Sequence, residues 1–183
     1  MRRLVVGCGY LGERVARLWR DAGDEVYATT RGDNLDALSR AGLRPLTMDV
    51  TRGPVLSALP VVDTVVFAVG WPRRSGATMF DIHVEGLRAV LDALPRSTGR
   101  VIYVSSTGVY AQNAGEWVDE ESVCEPVREG GRRACQGSGF SSPTRAGAMR
   151  WYCAWQDSTG QDGCRGRPTS RRADRLPGLP MRI

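Results

Sequence analysis

The sequence predicts an α/β fold in which a parallel sheet is covered on both faces by helices. Three observations carry this. Short apolar runs alternate with longer helical patterns through the first 128 residues, with short connections between them. One run, DTVVFAV at 63–69, is apolar on both faces, as a central parallel strand is. The first apolar run leads straight into G-x-G-x-x-G at residues 7–12, a glycine pattern that opens a helix.

The elements follow in order. LVV (4–6) reads as a short strand, and a helical pattern runs from Tyr10 to Ala22 with Leu11, Val15 and Leu18 on one face. Gly23 stops it. EVYATT (25–30) is the second strand; Asp33 is placed to cap a helix through Arg40, which Gly42 closes. LRPLTMDV (43–50) is the third strand and DTVVFAV the fourth. A longer helix, about 77–94, turns Val84, Leu87, Val90, Leu91 and Leu94 inward and ends at Pro95 and Gly99. RVIYVSS (100–106) is the fifth strand. No internal repeat is visible.

Composition narrows the function classes. A chain of 183 residues is long enough for one domain with a real core. No run approaches the roughly 20 apolar residues of a membrane span. MRRLVVGCGYLG mimics a signal peptide, but three glycines break it; the chain reads as cytosolic and mature from Met1. Five scattered cysteines with no C-x-x-C pair, and a single histidine, His83, give neither a disulfide framework nor a metal site. The absence of lysine excludes a P-loop and any Schiff base.

Charge and apolar content divide the chain. Residues 1–128 hold 15 arginines against 16 acids and 33 Ile, Leu or Val; residues 129–183 hold 10 arginines against 4 acids and only three such apolar residues. The early part can build a core. The tail has too little apolar area to offset chain entropy.

The glycine pattern is a candidate nucleotide loop. Gly7 permits a tight turn, Gly9 lets the backbone approach a pyrophosphate, and Gly12 lets helix and strand pack closely, with Tyr10 and Leu11 between them. The helix N-terminus offers unpaired N–H groups to the anion. The second strand runs into Thr29-Thr30-Arg31. An acid here suits a ribose 2′-hydroxyl and an arginine suits a 2′-phosphate, so Arg31 favours NADP(H) over NAD(H), a solvated surface arginine being the plain alternative. Asp49 and Val50 are placed to meet the adenine edge, and Ala68, Val69 and Gly70 are small enough to let the cofactor pass. All these positions are at carboxyl ends of strands, where open α/β sheets bind ligands.

GCGYLG, Asp49-Val50, FAVG (67–70), HVEGLRAVLDAL (83–94) and above all VIYVSSTGVYA (101–111) resemble the extended short-chain dehydrogenase/reductases. The likeness is to the NAD-dependent epimerase/dehydratase group and its atypical members, over about residues 1–137. It implies a Rossmann-like domain at 1–137 that holds a dinucleotide, followed by an Arg/Gly/Pro-rich tail at 138–183. It implies hydride transfer between a nicotinamide and a sugar-nucleotide or similar carbonyl/alcohol substrate. By the same resemblance Ser106, four residues before Tyr110, hydrogen-bonds the substrate oxygen, with Ser105 and Thr107 flanking it. A homodimer is implied too, with the 77–94 helix as one candidate face.

The chain departs from the family at one point. The acid/base tyrosine of Y-x-x-x-K falls roughly two dozen residues beyond the serine, and its lysine lowers the tyrosine pKa. Here that window reads EPVREGGRRACQ, without Tyr or Lys. Arg132 or Arg133 supplies charge but is a poor proton carrier. Cofactor binding is therefore better supported than turnover, and a non-catalytic dinucleotide-sensing or scaffold module is the second reading.

Three readings compete for residues 138–183: a disordered linker, a basic aromatic nucleic-acid arm (the least favoured), and a reading-frame change. WYCAWQDSTGQDG, from Trp151, back-translated and regrouped by one base, permits V-L-R-L-A-G-L-Y-G-P-G-R. That string looks like the family's sixth strand and its Y-G-P-G turn. A frameshift near residues 134–138 gives the lost apolar residues and the arginine excess one cause. It also predicts a five-stranded remnant, without sixth strand or substrate lobe, whose apolar edge is bare and aggregation-prone.

Overall fold

The computed structural model describes residues 1–52, 59–71, 76–112, 114–119, 122–138, 149–153 and 181–182. Strands β1 (Arg2–Val6), β2 (Glu25–Thr30), β3 (Arg44–Thr47), β4 (Thr64–Phe67) and β5 (Arg100–Ser105) all pair in parallel, as predicted. With a later strand, β7 (Met149–Cys153), the sheet order is β3-β2-β1-β4-β5-β7. The order reverses between β1 and β4, the switch point at which such sheets open a crevice. A short β6 (Trp117–Val118) pairs antiparallel with β8 (Met181–Arg182).

Alternation along β1 builds both cores. Leu4 and Val6 point to one face, with Val65, Phe67, Val101 and Tyr103 from β4 and β5. A π-helical turn (Asp81–Gly86) and α3 (Leu87–Ala93) cover that face. Val84, Leu87, Val90, Leu91 and Leu94 are all buried, as the helical spacing predicts. Burial of each such side chain contributes roughly 1.5–3 kcal/mol. Val5 points to the other face with Val26 and Ala28, under α1 (Tyr10–Asp21) and α2 (Leu35–Arg40). The outward positions of the 81–94 segment include Glu85, Arg88 and Asp92, all exposed. The apolar stripe of this helix is thus consumed by the core.

Three expectations need correction. Leu18 is 69% exposed rather than inward. The buried stripe of α1 is Gly12 and Ala16, flanked by half-buried Val15 and Trp19. Close packing of Gly12 on β1 sets that rotation. Asp33 does not cap α2: Asn34 holds the N-cap position, without a side-chain hydrogen bond. The third correction concerns the edge of the sheet. Residues 149–153, within the segment read as irregular, lie parallel to β5 with Tyr103 opposite Trp151. Along that length β5 is therefore not a bare edge. Without that partner its edge N–H and C=O groups would be a template for any extended segment.

Candidate functional site

The carboxyl ends of β1, β2, β3 and β4 surround a cavity of about 380 Å³. Of the predicted residues, Gly7, Gly9, Arg31, Asp49, Val50, Ala68, Val69 and Gly70 line it. Tyr10, Leu11, Gly12 and Ser106 do not. Cys8, Thr29, Thr30, Asp33, Asn34, Met48, Thr51, Arg52 and Ile82 complete the wall, and the sequence pattern assigned none of them to the site.

Each glycine of the loop answers to a different constraint. Gly7 has φ +88, and a Cβ there would lie 2.8 Å from the Val69 backbone, so both conformation and space require glycine. At Gly12 a Cβ would collide with the Gly7 carbonyl oxygen. Gly9 is unlike both. Its φ is −92, and a Cβ there meets nothing within 4 Å. The polypeptide itself does not demand glycine at this position, yet Gly9 faces the cavity. Gly70, which also lines the cavity, is equally unencumbered. Gly9 is also the N-cap of α1 and makes no side-chain cap hydrogen bond.

The loop is pinned from β2. The Gly7 amide donates to Thr29 Oγ1 at 2.9 Å and the Cys8 amide to the Thr29 carbonyl at 3.0 Å. Thr29 is buried, so Thr29→Val keeps shape and deletes one acceptor. It is expected to cost about 1–2 kcal/mol in urea unfolding and to loosen the loop. Tyr10 is partly exposed with the Arg14 guanidinium 3.5 Å from its ring centroid, and Leu11 is half-buried. Burial, with Glu13 nearby, pushes the Cys8 thiol up to about 11, so it is protonated at neutral pH and is not a nucleophile.

Asp49 is already engaged. Its Oδ1 accepts from the Thr51 amide at 3.0 Å and the Thr51 hydroxyl at 2.7 Å, and Arg52 Nε lies 3.4 Å from Oδ2. Burial alone would raise this carboxyl; the Thr51 donors and the arginines prevail and hold it below the usual range.

Ser106 directly follows β5, at the same edge of the sheet as residues 68–70, because Phe67 and Tyr103 are register partners. Its Oγ accepts from the Gly108 amide at 3.2 Å and caps the 3₁₀ turn Thr107–Val109, leaving its proton able to donate. Neighbouring Ser105 is buried, and its hydroxyl has no hydrogen-bond partner among the described residues. The window that lacks Tyr and Lys forms most of α4 (Glu129–Ser138). Gly131 sits so tightly against the Gly108 carbonyl that a Cβ would overlap it. Arg132 is exposed. Arg133 is tied to Glu129 at 3.6 Å and to Gln136 at 3.2 Å, with its guanidinium 5.1 Å from the Phe80 ring centroid. Neither arginine replaces the missing tyrosine–lysine pair in chemistry.

Among the described residues no group of His, Cys, Asp and Glu forms a metal site, and no helix is long and apolar enough to cross a membrane. Cys8, Cys124 and Cys135 are unpaired thiols; Cys153 and Cys164 fall outside what the structure describes of side chains.

Comparison with known proteins agrees with this geometry. A solved structure described as an NAD-dependent epimerase/dehydratase from Methylobacillus flagellatus superposes with a TM-score of 0.64 at 29% identity, covering 83% of this chain and 53% of that one. A short-chain dehydrogenase/reductase superfamily protein from Agrobacterium tumefaciens, solved with bound NAD, gives 0.65 at 25% identity, covering 84% and 48%. The chain thus spans about half the length of these structures. A response regulator receiver protein of Anaeromyxobacter sp. (strain Fw109-5) is 26% identical over 187 residues, 92% of this chain and 75% of that protein. The family model for NAD dependent epimerases and dehydratases matches residues 3–131, from the first strand through the glycine loop and Ser106 into α4. The chain belongs to the NAD dependent epimerase/dehydratase family.

Proposed function

We propose that this chain binds a nicotinamide dinucleotide in the β1–β4 cleft, with NADP(H) preferred, and that as written it turns substrate over weakly or not at all. The observation that carries the binding is Gly9, which has ordinary φ and open space yet is glycine at the wall of the cavity. The pyrophosphate would lie on the uncapped start of α1, the adenosine end near Asp49 and Val50, and the nicotinamide end toward Gly70 and Ser106. When bound, the dinucleotide supplies the hydride acceptor or donor. The chain's own residues bind and orient it, and Ser106 offers a hydrogen bond to a substrate oxygen.

Weak turnover follows from α4. A proton must move whenever a hydride does, and the 125–136 window, where the family resemblance places the Tyr and Lys that carry it, holds neither. The carbonyl/alcohol substrate class, with a sugar nucleotide as its leading example, rests on family resemblance alone. A purely dinucleotide-sensing or scaffold role is the second reading, and the Gly131–Gly108 contact favours it. Fluorescence titration with NADPH and NADH is expected to show saturable binding by the folded chain. Turnover with sugar nucleotides is expected at the limit of detection. Absence of binding to both dinucleotides sinks both readings; robust turnover retains the site and rejects the impaired one.

The tail is proposed to be out of frame from about residue 135. The family match stopping at residue 131 supports this, as does the collapse in Ile, Leu and Val content. Trp151–Cys153 lies in β7, while residues 154–163 of the back-translated stretch are outside the described residues. Independent reads of codons 130–140 test it. An intact frame, with the tail peptide found by mass spectrometry, returns a linker or a nucleic-acid arm. The 1–137 and 138–183 division, cytosolic location and a homodimer stand as proposals alongside.

A further inference from the structure

We propose that Arg52 is the second guanidinium of the ribose end of the cleft, holding with Arg31 a phosphate carried on the adenosine ribose, and that Asp49 positions it. The proposal rests on the dinucleotide reading and adds a residue to it that no sequence pattern marked.

The arrangement begins with strand ends. β2 and β3 are register partners to their last residues, Thr30 opposite Thr47, and the Met48 amide donates to the Thr30 carbonyl at 2.8 Å. The segments that begin at Arg31 and at Asp49 therefore leave the sheet side by side. The second segment then turns back on itself. The Arg52 amide donates to the Asp49 carbonyl at 3.2 Å, and the Asp49 carboxylate takes the Thr51 amide and hydroxyl. This tight turn returns Arg52 to the cavity wall that Arg31 also lines.

The chemistry of the two arginines is complementary. Arg52 is held through Nε, 3.4 Å from Asp49 Oδ2, which leaves its two terminal nitrogens unspent by that pair. The side chain is 81% exposed, so the pair is loose, and a phosphate dianion competes well for those nitrogens. Arg31 makes no ion pair among the described residues. Two planar guanidiniums at one end of a cavity suit a group with three anionic oxygens. The opposing chemistry is also present. Asp33 lines the same end, is exposed, and suits an unphosphorylated ribose diol instead. Asp49 does not compete in that way, because its oxygens are occupied by Thr51 and Arg52.

The test compares 2′,5′-ADP with ADP as probes of the full chain by calorimetry, alongside Arg31→Gln, Arg52→Gln and Asp49→Asn. Wild type is expected to bind 2′,5′-ADP about tenfold more tightly than ADP at low salt, the ratio shrinking as salt rises. Arg52→Gln is expected to lower that ratio severalfold while the thermal midpoint stays put. Asp49→Asn is expected to lower the ratio in the same direction by releasing the Arg52 turn. A ratio unchanged in Arg52→Gln but lost in Arg31→Gln overturns the role of Arg52 and leaves the dinucleotide reading standing. Equal binding of the two probes by wild type overturns the phosphate and hands the ribose to Asp33. Failure of a folded wild type to bind either probe overturns the dinucleotide reading itself.

Discussion

Gly9→Asp is expected to leave the thermal midpoint nearly unchanged and to weaken NADPH binding about a hundredfold, read by fluorescence titration beside thermal melts. The two halves of this result have separate causes. The backbone at Gly9 has φ −92, which any L-residue adopts, and no protein atom lies within 4 Å of the new Cβ. The fold therefore has no reason to object. The side chain enters the cavity instead, at the start of α1 where the pyrophosphate is proposed to lie. A carboxylate about 5 Å from a phosphate charge, at an effective dielectric near 20, is repelled by about 3 kcal/mol, which is about two orders of magnitude in affinity. Gly12→Ala is the control with the opposite signature. Its methyl meets the Gly7 carbonyl oxygen and, at 3.0 Å, Val5 Cγ1, so it is expected to lower stability by roughly 1–3 kcal/mol whether or not ligand is present. If Gly9→Asp binds as wild type does, the glycine loop is not the phosphate site.

The second large effect is on stability against pH. His83 is buried in the π-helical turn and shares a hydrogen bond of 2.9 Å with the buried Tyr103 hydroxyl. Burial pushes its imidazole down from 6.5 to about 4. The unfolded chain takes up a proton below about 6.5 and the folded one does not until about 4. The contribution of neutral His83 is therefore complete above pH 6.5 and is lost as pH falls from 6.5 to 4. Over that interval about 3 kcal/mol of unfolding free energy is expected to disappear. Urea unfolding at stepped pH reads it directly. His83→Asn keeps a polar partner for Tyr103 and cannot titrate, so its curve should be flatter through this window. Parallel curves for the two proteins would remove His83 as the source. Asp24, held low by the N-terminal ammonium and Arg3, and Asp49 lose their contributions at more acid pH, below their usual carboxylate range.

Much of the fold was legible because its signals are local. Apolar spacing at 84, 87, 90, 91 and 94 is one face of a helix wherever that helix sits, and all five residues are buried. An apolar run such as Thr64–Phe67 is fully buried because a central strand has no outer face. α1 shows where such reasoning fails. Leu11, Val15 and Leu18 form a fair stripe by spacing, but the close approach of Gly12 to β1 turns the helix so that Leu18 faces outward. The sixth strand was missed for a related reason. MRWYC has no alternation that marks a strand, and it pairs because β5 offers an unpaired edge.

By itself, then, the sequence determined the alternation of strands and helices, the glycine loop and the carboxyl-end positions of Arg31, Asp49 and Val69. These depend on residue type and on spacings of a few positions. Only the tertiary structure decided that a Cβ at Gly9 meets nothing within 4 Å and that Gly9 lines the cavity. It also decided that Arg52 and Arg31 line one cavity, that His83 meets Tyr103 twenty positions away, and that Gly131 packs tightly against Gly108. Each of these is a meeting of residues distant in sequence. Such meetings are fixed by which strands lie side by side and how their ends leave the sheet, and no local period in the chain records that.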